Sequence, residues 1–299
     1  MSIYKKIHIL IVVLIFILGL VGCTYHDDHI NIIVPMGSAE YATVYLDDYD
    51  IDVVNGVDPL VAAFGSSQYD IIIAPTNLGA KFYHASKDYQ LVASIVWGNY
   101  YLISRQSFSI SDLDQQVIHT FGQNQTPDII LTYVLSVNSV NATFEYASSS
   151  LEVSTQFIQH PDEIYFIAEP ALSTLMGTHE PIFIMDIQMA YQTLTGSHSY
   201  PQASVFAKSN LSQESLMTFK DDISDTINMI NDINHISQTK VKLQSDLDET
   251  LLYDAIIRSH LQFIDAYDAK PFITAYFELI LNQNAALIGD MLPDISFYR

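Results

Sequence analysis

The 299-residue chain is strongly acidic, with 34 Asp and Glu against 12 Lys and Arg and a formal net charge of −22. Such a surface repels nucleic acid and anionic lipid headgroups. With 49% apolar residues, 19 tyrosines and 15 phenylalanines, a disordered chain is excluded and a length suited to two modest domains is well supplied with core. The single cysteine, Cys23, excludes an internal disulfide and the paired thiolates of a zinc or iron–sulfur centre.

The first residues read as a targeting segment. Lys5 and Lys6 are followed by Ile7–Leu18, apolar except for His8, and small residues appear between Gly19 and Gly22. The stretch is short for a membrane span. Leu20-Val21-Gly22-Cys23 resembles the lipobox of bacterial lipoproteins. The resemblance implies a signal peptide over 1–22 that is removed, and a Cys23 that becomes the new N-terminus carrying diacylglycerol and fatty acyl chains such as palmitate. Removal would leave ten basic residues against 34 acidic ones, a net charge of −24. An uncleaved anchor helix is the other reading, and both place Thr24 onward on the extracytoplasmic face of the cell membrane. Residues 23–29 form a tether, in which His26-Asp27-Asp28-His29 is read as a solvated polar run and not a metal site.

From residue 30 onward apolar strands alternate with helix-like segments, the pattern of a parallel sheet covered by helices. Ile30–Pro35, Ile51–Val54 and Asp70–Ala74 read as strands. Asp58-Pro59 opens a helix over Leu60–Phe64, with proline at the first helical position, and Pro75-Thr76-Asn77 opens another across Leu78–Ala85. Leu91–Val96 and Tyr100–Ser104 are strand-like, with Trp97-Gly98-Asn99 between them, and would bring the first lobe to a crossing.

A second α/β unit follows. Gln116–Phe121 is its first strand, Gly122–Gln125 a loop, and Thr126-Pro127-Asp128 the start of a helix through Leu135. Ala142–Tyr146, Glu163–Ala168 and Ile182–Met185 are further strands, Leu151–Gln159 a helix, and Glu169-Pro170 opens a helix over Ala171–Met176. Ser204–Ala207 is the expected route back. The remainder reads as helical: Leu216, Phe219, Ile223, Ile227, Ile230 and Ile233 fall at spacings of three and four, and Leu251–Ala266 and Pro271–Ile288 complete the tail.

In open α/β sheets a ligand lies beyond the carboxyl ends of the strands. The candidates are therefore Met36-Gly37-Ser38-Ala39, Pro75-Thr76-Asn77, Trp97-Gly98-Asn99-Tyr100, Gly122–Thr126 and Ala168-Glu169.

This layout resembles the type II periplasmic-binding-protein fold, and within it the nitrate/sulfonate/taurine and thiamine-precursor branch of ABC-transporter solute-binding proteins. The likeness is carried by Asp70–Pro75 leading into a helix, Asp112-Leu113 before the Val117–Gly122 strand and loop, Asp162–Ala168 running into Glu169-Pro170-Ala171, and the helical tail. It implies an α/β chain of two lobes, residues 30–105 with 200–299 as the first and 106–199 as the second. The lobes would close on a small solute and hand it to a membrane permease, as a monomer without cofactor or metal.

The expected ligand-binding set is Gly37, Ser38, Ala39, Glu40, Thr76, Asn77, Trp97, Asn99, Tyr100, Gly122, Gln123 and Glu169. Between Cys23 and Lys208 the only basic side chains are Lys81, Lys87 and Arg105, none in these mouths, which disfavours a strongly anionic ligand. Trp97, Tyr41, Tyr100, Tyr101 and Phe121 near the mouths suit an aromatic or heterocyclic solute, with Ser38, Asn77, Asn99 and Gln123 fixing its polar edge. Glu40 or Glu169 would pair with an amine or ring cation, and Trp97→Ala is expected to weaken binding with little loss of fold. An enzyme on the same fold and a surface interaction lipoprotein without a solute are the alternatives. No Cys/His or Ser/His/Asp constellation and no phosphate-cradling Gly-rich motif favours the enzyme.

Overall fold

The computed structural model describes residues 29–178, 182–196 and 198–299. The leader, Cys23 and most of the expected tether lie outside them. Among the described residues no helix is long and apolar enough to cross a membrane.

Two sheets with covering helices make a two-lobed α/β fold. The first contains β1 (Asn31–Pro35), β2 (Asp50–Val54), β3 (Ile71–Pro75), β4 (Tyr89–Val96), β10 (Ala203–Lys208) and β11 (Leu261–Asp265), in the order β11-β4-β10-β3-β1-β2. The second contains β5 (Tyr100–Ser104), β6 (Val117–Phe121), β7 (Thr143–Ala147), β8 (Ile164–Ala168) and β9 (Phe183–Asp186), in the order β7-β6-β8-β5-β9. Ile71–Ala74 is buried on both faces, as its unbroken apolar run requires of a central parallel strand.

The sheets are mixed and not wholly parallel. Strand β5 runs antiparallel to β8 and β9, and β10 antiparallel to β3 and β4. The cause is the crossings: the chain leaves β4 at its carboxyl end, enters the second sheet from that side as β5, and later re-enters the first as β10. Each crossing strand must therefore run against the parallel strands it joins. Tyr100–Ser104, expected in the first lobe, pairs in the second sheet, so the crossing falls between Val96 and Tyr100, ahead of the expected boundary at 105.

The helices, in chain order, are α1 (Ser38–Tyr41), α2 (Asp58–Ser66), α3 (Thr76–Ser86), α4 (Thr126–Val137), α5 (Ser150–Gln159), α6 (Ala171–Met176), α7 (Ile187–Thr195), α8 (Gln213–Ile230), α9 (Ile236–Leu243), α10 (Glu249–Arg258) and α11 (Ala266–Asn284). The tail is mainly helical and contributes one strand to the first sheet. Within the span Leu251–Ala266, expected as one helix, α10 stops at Arg258, His260 takes a positive φ of 47°, and β11 pairs antiparallel with β4. Five residues with apolar Leu261, Phe263 and Ile264 do not distinguish strand from helix by period, and β4 would otherwise present an open edge.

Packing is tight where α3 crosses β10. A Cβ built on Gly79 would lie 2.1 Å from the ring of Phe206, which is itself fully buried. Gly79→Ala is expected to lower stability by about 1–3 kcal/mol through overpacking, read as a lower urea midpoint at unchanged slope. An unchanged midpoint would show that Phe206 has room to move.

Candidate functional site

The strand-end loops of the two sheets face one another and are joined by hydrogen bonds. Ser38 follows β1, Asn99 sits in the crossing, and Glu169 follows β8. Asn99 Nδ2 donates to Ser38 Oγ at 3.0 Å and to the Glu169 carbonyl at 3.4 Å, and the Ser38 hydroxyl lies 3.4 Å from that same carbonyl. Ser259, just beyond α10, shares a 2.9 Å hydrogen bond with Ser38. Gly37 lies beside Pro170: a Cβ there would be 3.7 Å from its Cδ. The crossing itself needs glycine, because Gly98 has φ 100° and a Cβ would collide with Gln188.

Glu169 is the electrostatic centre. Its side chain has no solvent exposure, and one carboxylate oxygen accepts from Arg258 Nε at 2.5 Å and from the Ser173 hydroxyl at 2.9 Å. The other accepts the Ser173 backbone N–H at 3.1 Å. Arg258 also donates from Nη2 to Ser173 Oγ at 2.7 Å. Burial pushes the Glu169 carboxyl above the ordinary carboxylate range, while the guanidinium and Ser173 pull against that rise. Arg258 is the last residue of α10, where a cation also meets the negative end of the helix dipole.

Two further contacts connect the second sheet with the segment after α10. Tyr101 in β5 donates to the Arg258 carbonyl at 2.7 Å and lies 3.2 Å from His260 Nε2. Asp186, at the end of β9, stands 3.7 Å from the same His260 nitrogen.

The aromatic side chains expected as stacking platforms are packed by the protein itself. Trp97 is 2% exposed, its ring meets His198 and Phe272 edge-on, and its Nε1 donates to the Gln262 carbonyl at 3.0 Å. Tyr100 stacks on Tyr200 and contacts Phe121 and Phe166. Trp97→Ala would therefore cost the fold, contrary to the expectation above.

The other expected residues divide. Ala39 and Tyr41 belong to the core of the first sheet. Glu40 turns back on its own helix, its carboxylate accepting from the Gly37 N–H at 3.2 Å. Thr76 is 2.8 Å from Ser204 Oγ within the first lobe. Asn77 reaches the second lobe, its Oδ1 accepting from Thr126 Oγ1 at 3.1 Å, and Tyr276 donates to the same Thr126 hydroxyl at 3.1 Å. Gly122 makes the turn into α4 with φ 68°, and Gln123 is exposed beside it.

Arg258, Ser259, Ser173, Gln188 and Gln202 were not legible as site residues. Arg258 could have been flagged, since it is one of only three arginines in a very acidic chain. The others are ordinary polar residues whose relevance depends on the crossing geometry.

Both crossings carry buried polar atoms with no protein partner among the described residues. They are Asn99 Oδ1, Gln188 Nε2, His198 Nε2, Ser199 Oγ and Gln202 Oε1. Asn99 and Gln188 are held by their other ends: Gln188 Oε1 accepts from the Tyr100 N–H at 2.7 Å and from the Tyr200 hydroxyl at 2.6 Å. Unmet buried hydrogen-bonding groups are uncommon in native folds, and these atoms, from the two crossings and from α7, are two acceptors, one donor, a hydroxyl and an imidazole nitrogen.

No protein-family profile and no curated protein sequence matches the chain. Among solved structures, an ABC transporter protein from Parabacteroides distasonis is similar with a TM-score of 0.80 at 20% identity, over 90% of this chain and 98% of that one. The ligand binding component of an ABC-type import system from Staphylococcus aureus, with zinc bound, has a TM-score of 0.66 at 11% identity, over 90% and 95%. The periplasmic aliphatic sulphonate binding protein of Escherichia coli has 0.65 at 11% identity, over 86% and 93%. The chain therefore has the two-lobed fold of periplasmic binding proteins. The neighbours named here are a protein of an ABC transporter, the ligand binding component of an ABC-type import system and a periplasmic binding protein, and the likeness to them is one of fold.

Trp97→Ala is expected to lower stability by about 3–5 kcal/mol, measured by urea unfolding. A loss below about 1 kcal/mol would show that the indole is not a structural core group. For His198, burial depresses the imidazole pKa below 6.5, so the folded state holds the ring neutral more strongly than the unfolded chain does. Stability from this group is present above the unfolded pKa and is lost as pH falls below it. Between about pH 7.5 and about pH 5.5, His198→Gln should lose less of its urea midpoint than the wild type. Equal losses would exclude His198 as the cause.

Proposed function

We propose that this chain is the solute-binding component of an ABC importer, tethered to the extracytoplasmic face of the membrane by lipid on Cys23, and that its lobes close on a small solute for delivery to a permease. Support comes from the fold of its neighbours, the lipobox-like Leu20–Cys23 and the acidic surface. The observation that carries the proposal is the meeting of Ser38, Asn99 and Glu169 from the strand ends of the two lobes, beside unpartnered polar atoms at both crossings.

The favoured solute is small and carries no net charge, with hydrogen-bond donors and acceptors on one edge, as in a nitrogen heterocycle or a ring bearing an amine. The guanidinium of Arg258 is neutralised by Glu169, so the site presents no free cation to an anion. Since Trp97 and Tyr100 have their faces covered, recognition falls to the polar edge: Asn99 and Gln202 would accept and Gln188 would donate. Placement in the nitrate/sulfonate/taurine and thiamine-precursor branch is part of the proposal, as is the monomeric state.

A second reading is favoured by one feature. The interlobe face is filled to a large extent by the protein's own side chains, as a surface interaction lipoprotein that has lost its solute would require.

Native mass spectrometry of the full chain, extracted from membranes without denaturation, separates the two. A co-purifying small molecule supports the importer component. An empty protein that shows no thermal shift with vitamins, nucleobases, amines or sulfonates supports the second reading. With a solute in hand, Asn99→Ala is expected to weaken binding at least about tenfold in a calorimetric titration, since one buried side chain there is worth more than about 1.4 kcal/mol. Unchanged affinity would remove Asn99 from the site.

A further inference from the structure

We propose that Arg258 and Glu169 form a clasp that holds the two lobes together in the absence of solute. The proposal rests on the two-lobed fold and not on any particular ligand.

Glu169 follows β8 of the second sheet, whereas Arg258 ends α10, whose Leu252 and Ile256 pack in the core of the first sheet. The ion pair is therefore a contact between lobes. It is also specific in geometry: the guanidinium uses Nε for the carboxylate and Nη2 for Ser173 Oγ, a two-point arrangement at the N-terminal end of α6. Around it, Ser38 to Ser259, Asn99 to the Glu169 carbonyl and Tyr101 to the Arg258 carbonyl close a ring of hydrogen bonds drawn from both lobes and a crossing.

Separation of the lobes would part the Glu169 carboxylate, which has no solvent exposure in this structure, from its cationic partner and leave both groups to water. Ser173 supplies two hydrogen bonds to the carboxylate but no positive charge. Among the described residues, the guanidinium also has Asp254 on its own helix, 3.7 Å away and half exposed, which offers a weaker, solvent-screened pair. Opening thus exchanges a buried two-point pair for exposed or partial ones. In ligand-driven closure the solute supplies the difference between open and closed states. Here the protein supplies part of it, so a solute needs less differential affinity to populate the closed form, and release must overcome the clasp.

Hydrogen–deuterium exchange of the full chain, freed of any small molecule by partial unfolding and refolding and checked as empty by native mass spectrometry, tests this without a ligand. The peptides to read cover 37–42, 97–101, 167–176 and 255–262. They are expected to be protected in the empty wild type and to exchange at least about tenfold faster in Arg258→Met, since loss of one partner of a buried pair is strongly destabilising. Peptides from β1 and β3 should be unchanged, which separates opening from unfolding. Ser173→Ala, which removes the second point of attachment and one hydroxyl hydrogen bond to Glu169 but keeps the ion pair, should give a smaller acceleration. Fast exchange of these segments in the empty wild type, or no acceleration in Arg258→Met, would overturn the clasp. A failure to find any solute would contradict the importer function and leave this result standing.

Discussion

A carboxylate sealed from water must be met by a positive charge or by protonation, and Glu169 is such a carboxylate. Its position, at the first residue beyond a central strand of the second sheet, fixes what must come to it. Arg258 arrives from the helical tail, as the last residue of α10. The turn through Ser259 and His260 then brings β11 onto the open edge of β4. The tail is thus a structural part of the first sheet and, through one guanidinium, a partner of the second lobe.

The same logic explains the two crossings. Trp97-Gly98-Asn99 passes between the lobes under close packing, with Trp97 anchored to the Gln262 carbonyl and Gly98 leaving room for Gln188. Gln188 in turn holds Tyr100 and Tyr200, one from each side of the double crossing. Rigid aromatic packing surrounds a small number of polar atoms whose hydrogen-bonding capacity is not used by the protein.

Much of the fold was legible because unbroken apolar strands and proline-started helices leave strong local marks. Ile71–Ala74, Asp58-Pro59 and Thr126-Pro127 are examples. What was not legible depended on contacts distant in sequence. Leu261–Asp265 has too few residues to declare its period, and it is a strand because β4 needs an edge partner. Ser38, Asn99 and Glu169 were found from their places after strands, and the hydrogen bonds among them link residues up to 131 positions apart. Trp97 was also in the expected position, but position after a strand does not tell which way a ring points, and Phe272 from the tail covers it. Arg258 carries no local mark of its role, because the fold brings it to the mouths from 89 residues beyond its carboxylate.

The most direct measurement is a crystal structure of the protein purified from its native membrane without denaturation, at a resolution that identifies a small molecule. The account predicts density for a solute touching residues of both lobes, with Asn99, Gln188 or Gln202 hydrogen-bonded to its polar edge. A protein shown by mass spectrometry to carry its solute, but holding it on one lobe away from Asn99 and the crossings, would contradict it.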